Sequence, residues 1–237
     1  MTDQAKERDE AKIRLLKRMF EEGSVFWEQM KKISGFEDAE IRKLIEDGFI
    51  KTDGSYFGGS DHYFPTKKAR EYLAEHGVRS YVPMLERAPL KNEKHDEVLR
   101  NLRLKFEDMG YKTWQAERCI KQRGMVEVTP DGILELGRRK IAIELEFSNK
   151  TVKQYGERFT FYEKHPALDA VLYFVATPHL RVMLLELTRD YPKIFVVLLK
   201  NFMGHEKNAY VERSGIPAAV RLWKFLEVIR VKRFFNS

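Results

Sequence analysis

Cysteine occurs once in these 237 residues, at Cys119. A lone thiol excludes an internal disulfide framework and a zinc site built on cysteine pairs, and it suits a reducing compartment. Long apolar runs are missing as well. The longest, 170–176 and 194–199, fall far short of the roughly 18 residues a membrane helix needs. The opening residues, rich in Asp, Glu, Lys and Gln, contain no apolar signal core. The expectation is a soluble cytoplasmic protein with no membrane partner. No internal repeat and no low-complexity tract is found either, so periodicity and breakers must define the organisation.

Charge is plentiful and unevenly placed. Residues 1–90 hold 16 basic and 17 acidic side chains, and the remainder holds 27 against 19, so the net +7 comes entirely from the second part. A basic excess of this kind suits a polyanion such as double-stranded DNA, although many proteins that bind no nucleic acid carry as much.

The first part is patterned for helix. Ile13, Leu16, Met19 and Phe20 recur at 3–4 spacing up to Gly23; Val25, Trp27, Met30 and Ile33 continue to Gly35; Ile41, Leu44 and Ile45 mark a third short helix closing at Gly48. Residues 49–52 and 63–66, separated by a turn with Gly54, Gly58 and Gly59, predict a two-stranded ribbon. Thr66 is placed to cap a fourth helix through Ala69, Tyr72 and Leu73. This order resembles the winged helix-turn-helix superfamily, and places a domain at 1–80, with a linker at 81–90 around Val82, Pro83 and Pro89.

From 91 to 237 a second domain is expected. An amphipathic helix through Val98, Leu102, Leu104 and Phe106 ends at Gly110. Strands are predicted over 112–120, 126–136 and 140–147, then a helix over 151–164, a strand over 171–176, a helix over 180–188 and a strand over 194–199. A last helix is expected near 218–229. The fold class is thus α+β followed by α/β, the second domain being a mixed sheet flanked by helices.

The chemistry concentrates in one strand. A period of two sends Ile141, Ile143, Leu145 and Phe147 to one face and Ala142, Glu144, Glu146 and Ser148 to the other. The two carboxylates lie ~6.6 Å apart along the strand, a spacing at which a cation or a nearby lysine relieves their repulsion. Hard oxygen donors of this kind suit Mg²⁺. If the preceding strand returns as a hairpin across Gly137, Asp131 approaches Glu144, and Lys150 stands just beyond the strand. The plain alternative is a solvent-facing strand whose two glutamates and lysine are ordinary surface.

Asp131, Glu144, Glu146 and Lys150 in this element order resemble the PD-(D/E)xK nuclease superfamily, with its restriction-endonuclease-like fold. Pro130-Asp131 stands for its first motif and Glu144 for its second acid. Glu146 occupies the position where that superfamily has lysine, and Lys150 would have to substitute from the next turn. The wider set is similar to the replication-relaxation family of plasmid and mobile-element proteins, which includes relaxases of the MOB-C class: a winged helix, the helix after His95-Asp96, Trp114, Pro130-Asp131-Gly132, Glu144-Leu145-Glu146 and the Lys150-Thr151 helix start. The resemblance implies metal-dependent DNA nicking in plasmid replication or transfer. Mg²⁺ or Mn²⁺ would be held by Asp131, Glu144 and the Leu145 carbonyl, with Glu146 a further ligand or a base and Lys150 facing the phosphate. Asp96 or Glu97 would supply an outer carboxylate.

The six histidines are scattered, and no His-x-His pair supports the chemistry of tyrosine-nucleophile relaxases. Tyr155, Phe159 and Tyr162 form a stripe that reads as core packing. Arg42, Lys43, Lys67, Lys68, Arg230, Lys232 and Arg233 are the candidate DNA contacts, although the third helix also carries Glu37, Asp38, Glu40, Glu46 and Asp47, which a phosphate-lined groove disfavours. Two competing readings are a non-catalytic DNA-binding regulator that keeps a nuclease-like scaffold, and a homodimeric transcription regulator working through its winged helix.

Overall fold

The computed structural model describes residues 2–52, 61–78, 82–85, 93–124, 128–205, 209–215 and 219–231. The chain divides into two compact units, one of residues 1–104 with 118–124 and one of 105–117 with 125–237.

The first unit follows its sequence pattern closely. Helix α1 (Asp3–Glu22) starts at Thr2, whose hydroxyl accepts from the Ala5 amide, and stops at Gly23. Gly23 has φ +89°, and a Cβ there would stand 2.5 Å from Leu85 Cδ1, so backbone and packing both require glycine. Helix α2 (Trp27–Ser34) and helix α3 (Asp38–Glu46) follow. The ribbon of β1 (Ile50–Thr52) and β2 (Tyr63–Pro65) pairs antiparallel with Ile50 opposite Pro65; its turn lies outside the described residues. Thr66 caps α4 (Lys67–Glu75) by accepting from the Ala69 amide. Leu15, Leu16, Met19, Phe20, Met30, Ile41 and Leu73 form the centre of one apolar cluster. The described part of the expected linker, 82–85, is tied in by Arg70 Nη2 donating to the Val82 carbonyl at 2.9 Å.

Helix α5 (Glu93–Asp108) belongs to this unit as far as Leu104. There Arg103 donates to Glu22 at 2.6 Å and to Glu21 at 2.7 Å. His62 is buried between Ser24 Oγ and Glu93 Oε1, at 3.2 Å from each. Each ring nitrogen of His62 thus faces one polar partner, Nδ1 the Ser24 hydroxyl and Nε2 the Glu93 carboxylate.

The second unit is a mixed seven-stranded sheet in the order β3 (Trp114–Ala116), β4 (Gly132–Leu136), β5 (Arg139–Glu146), β6 (Ala170–Val175), β7 (Ile194–Leu198), β8 (Tyr210–Glu212), β9 (Val220–Arg221). Only the β5–β6 and β6–β7 pairs are parallel; the other four are antiparallel. Helix α7 (Val152–Lys164) and helix α8 (Pro178–Leu187) make the two crossovers and cover one face. The opposite face is packed by Phe106, Phe202 of α9 (Leu199–Gly204) and Phe225 of α10 (Leu222–Val231), through ring contacts to Phe174 and Phe195.

Three expectations change. The strand predicted over 112–120 is only β3, because the chain turns at once into α6 (Glu117–Gln122), where Ile120 alone is buried among charged neighbours. The strand predicted from 126 begins at Gly132, with 125–127 outside the described residues. Strands β8 and β9 and helix α9 have no counterpart in the sequence pattern past 199. Among the described residues no helix is long and apolar enough to cross a membrane.

Candidate carboxylate site

The alternation of β5 holds, but its polar face is not solvent. Helix α7 lies across it, and Glu144 and Glu146 retain only 5% and 4% of their accessible surface. The plain reading of an exposed strand with surface glutamates is therefore corrected. The cause lies in α7 itself: Tyr155, Phe159 and Tyr162 face the sheet and are fully enclosed, with Phe159 edge-on to Tyr173 of β6 at 5.6 Å. Thr151 fixes the start of that helix, its hydroxyl accepting from the Gln154 amide at 3.2 Å.

Asp131 reaches the site as expected. In the β4–β5 hairpin Gly132 pairs with Ile143, which sets Asp131 at the level of Glu144, and Asp131 Oδ2 accepts the Leu145 amide at 2.7 Å. Gly132 is required there, because the Trp114 indole lies where a Cβ would be. A second negative charge beside a buried carboxyl has a clear electrostatic consequence. Burial first, and Asp131 second, push the Glu144 carboxyl up to about 7, against the opposing pull of Arg158 and the Tyr162 hydroxyl.

Glu144 Oε1 accepts from Arg158 Nη2 at 2.6 Å and from the Tyr162 hydroxyl. Burial and then the Glu144 charge raise the Tyr162 phenol. Burial opposes the Arg158 cation, yet Glu144 more than compensates and raises it. Tyr173, the cross-strand partner of Glu144, is raised well above its ordinary value by burial and then by Glu144, with nearby Arg158 pulling the other way. Neither the Tyr173 hydroxyl nor Arg158 Nε makes a hydrogen bond of good geometry, although both are buried. Unsatisfied buried groups of this kind are uncommon.

Glu146 turns a different way. Its Oε2 accepts the Lys150 ammonium, and its Oε1 receives the Ser148 amide at 3.4 Å. Lys150 also stands 5.7 Å from the centre of the Tyr155 ring, and burial followed by the Glu146 charge pushes that phenol up to about 12. Among the described residues, no group of three His, Cys, Asp or Glu side chains surrounds a common point suited to a metal ion. What the fold brings together is Asp131 with Glu144, both hard oxygen donors. That pair fits a hard divalent cation, since a shared cation would relieve the repulsion that raises Glu144.

The candidate DNA contacts are dispersed. Arg42 and Lys43 are exposed on α3, Arg42 lying 5.9 Å from the Trp27 ring. Lys67 is exposed beside Glu71 at 3.7 Å, and Lys68 donates to the Asp47 carbonyl at 2.6 Å. Arg230 pairs loosely with Glu227 at 3.8 Å, while Lys232 and Arg233 lie outside the described residues. Asp96 and Glu97 belong to the first unit. The side chains missed by sequence reasoning are Arg158 and Tyr173. A signal for the former existed, since Arg158 falls on the Tyr155-Phe159-Tyr162 stripe, where a cation needs a buried anion.

The raised Glu144 carboxyl makes stability depend on pH. Between its ordinary 4.5 and about 7, the folded chain holds a proton that the unfolded chain has released. The stabilisation is therefore complete below about 4.5 and is lost as pH rises through about 7. The expected fall is on the order of 3 kcal/mol. Glu144→Gln keeps the shape and removes the titration, so urea unfolding from pH 4.5 to 8 should show a flatter profile for the variant; equal slopes would assign the dependence elsewhere.

No family model, no curated protein and no solved structure matches this chain.

Proposed function

We propose that this chain is a divalent-cation-dependent DNA-processing protein that nicks double-stranded DNA, combining a winged helix-turn-helix with a restriction-endonuclease-like domain, as in plasmid or mobile-element replication or transfer. The observation that carries the reading is the placement of Asp131 beside the buried Glu144 at one end of the β4–β5 hairpin. Two carboxylates that repel one another inside a fold cost stability, and a site that keeps them has a use for that charge. Bound there, Mg²⁺ or Mn²⁺ would polarise a phosphate and lower the pKa of its water.

The chain's own residues have separable tasks. Asp131 and Glu144 hold the cation, with Arg158 and Tyr162 fixing the rotamer of Glu144. Lys150, one-third exposed, is free on its solvent side to face a phosphate and offset charge developing on it. Arg42, Lys43, Lys67, Lys68 and Arg230 would neutralise backbone phosphates, which makes binding weaken steeply with salt.

The second reading, a DNA-binding regulator on a nuclease-like scaffold, is favoured by a specific observation. Both glutamates already have protein partners, Glu144 in Arg158 and Tyr162 and Glu146 in Lys150. Incubation with supercoiled plasmid DNA separates the two. Relaxed circles should accumulate in Mn²⁺ or Mg²⁺ and not in EDTA. Salt-sensitive DNA binding with no relaxation in any divalent ion would leave the scaffold reading.

A further inference from the structure

The sheet face that carries Glu144 and Tyr173 continues beyond α8. In cross-strand register Glu144, Tyr173, Val196 and Glu212 form one row, so Tyr210, two residues before Glu212 on β8, looks to the same side, as does its partner Arg221 on β9. Helix α8 lies over β6 and β7. Past it, beside β8, opens a cavity of about 400 Å³, within the size range of small-molecule sites. Its place in the topology is one that sheets with parallel strands commonly use, because β6 and β7 end there at Val175 and Leu198 and lead into α8 and α9. Pro178 and Ala219 give it apolar wall, Asn201 an amide, and Tyr210 a ring that is 39% exposed. Arg181 is held side-on by Glu212, its Nε donating to Oε1 at 2.8 Å and its Nη2 to Oε2. That pair fixes the guanidinium plane and does not use its Nη1 edge or the second lone pairs of the carboxylate.

Charge decides what fits. The cavity is lined by one cation and one anion, Arg181 and Glu212, which cancel, so an anionic group gains little inside it. A flat neutral ring with donors and acceptors side by side along one edge suits it better. We propose that this groove binds one unstacked nucleobase, its face on the Tyr210 ring and its edge on Asn201 and the Arg181–Glu212 pair, with the phosphates left outside near the exposed Arg221. The inference rests on the DNA reading above for its ligand and requires no cation. It adds a contact to a base where the dispersed lysines and arginines offer contacts to phosphates alone.

Fluorescence anisotropy on the full chain in EDTA tests this, with a labelled single-stranded DNA hexamer and an abasic hexamer carrying the same phosphates. The wild type should bind the base-containing strand at least about fivefold more tightly than the abasic one, the lower end of what stacking one base contributes. Tyr210→Ala should lose that advantage and bind the abasic strand as the wild type does. Tyr210→Phe, which keeps the ring, should retain it, and circular dichroism melts should confirm that all three proteins fold alike. Deoxynucleoside monophosphates that bind as tightly as the hexamer, and lose as much in Tyr210→Ala, support the base site and name a free nucleotide as its source. Equal binding of the two hexamers by the wild type, or an advantage that survives in Tyr210→Ala, overturns the base site and leaves the DNA reading to the backbone contacts. Absence of binding to hexamers, monophosphates and duplex DNA alike at low salt overturns the DNA reading, and the groove with it.

Discussion

Replacing Arg158 with methionine should lower stability at pH 8 by about 3–5 kcal/mol, the usual cost of leaving a buried charge without its partner. The stem of the new side chain still covers the sheet, so lost packing contributes little. What remains is the Glu144 carboxylate, enclosed and next to Asp131, with the Tyr162 hydroxyl still donating to it. The loss should shrink at pH 5, where Glu144 is protonated in the fold and needs no counter-charge. Combining Arg158→Met with Glu144→Gln should recover most of the stability, since removing both charges is far cheaper than removing one. Urea unfolding of the two single variants and the double variant at both pH values gives the coupling directly. A pH-independent loss would mean that Arg158 acts as packing and that the ion pair contributes little.

Much of this architecture is legible in the amino-acid sequence, and the parts that are not share a cause. Helices α1 to α4 follow from apolar 3–4 spacing, glycine stops at Gly23 and Gly35, and the Thr66 cap, all of which are local. The same is true of α7, whose Thr151 start and aromatic stripe are short-range signals. Strands β8 and β9, with three and two residues, are too short to show a period; β8 exists because β7 offers it an edge, and β9 because β8 does. Helix α6 displaces a predicted strand because the pairing with β4 ends at Ala116. That limit is set by a partner 16 residues away along the chain, Gly132.

The site divides in the same way. Parity within β5 places Glu144 and Glu146 on one face, and the hairpin across Gly137 brings Asp131 to them. Both conclusions need only strand geometry. Parity says nothing about what covers that face. The arginine among the aromatics of α7 is the available clue, because Arg158, three residues from Tyr155 and four from Tyr162, lies on their side of the helix and is half-buried there. Tyr173 gives no such sign: its strand reads as a continuous apolar run, and a tyrosine there is ordinary until its register opposite Glu144 is known.

Asp131→Asn should reduce the proposed metal-dependent nicking by about a hundred- to a thousandfold, the range of losses seen when a group that stabilises transition-state charge is removed, while the fold stays intact. The two effects separate because Asp131 has two tasks. Its Oδ2 accepts the Leu145 amide, which an asparagine carbonyl also does, so the hairpin keeps its hydrogen bond. Its negative charge, which helps to raise Glu144, is what a cation needs, and asparagine lacks it. Glu144 should accordingly titrate lower in the variant, and stability above pH 7 should rise slightly, since one buried repulsion is gone. Asp131→Ala, by contrast, should cost about 1–3 kcal/mol by leaving the Leu145 amide without this acceptor. A pair of variants in which asparagine is stable and inactive while alanine is unstable and inactive marks Asp131 as a cation ligand held in place by a backbone bond. If the asparagine variant nicks DNA as the wild type does, the carboxylate serves the hairpin alone, and the pair with Glu144 has no catalytic part.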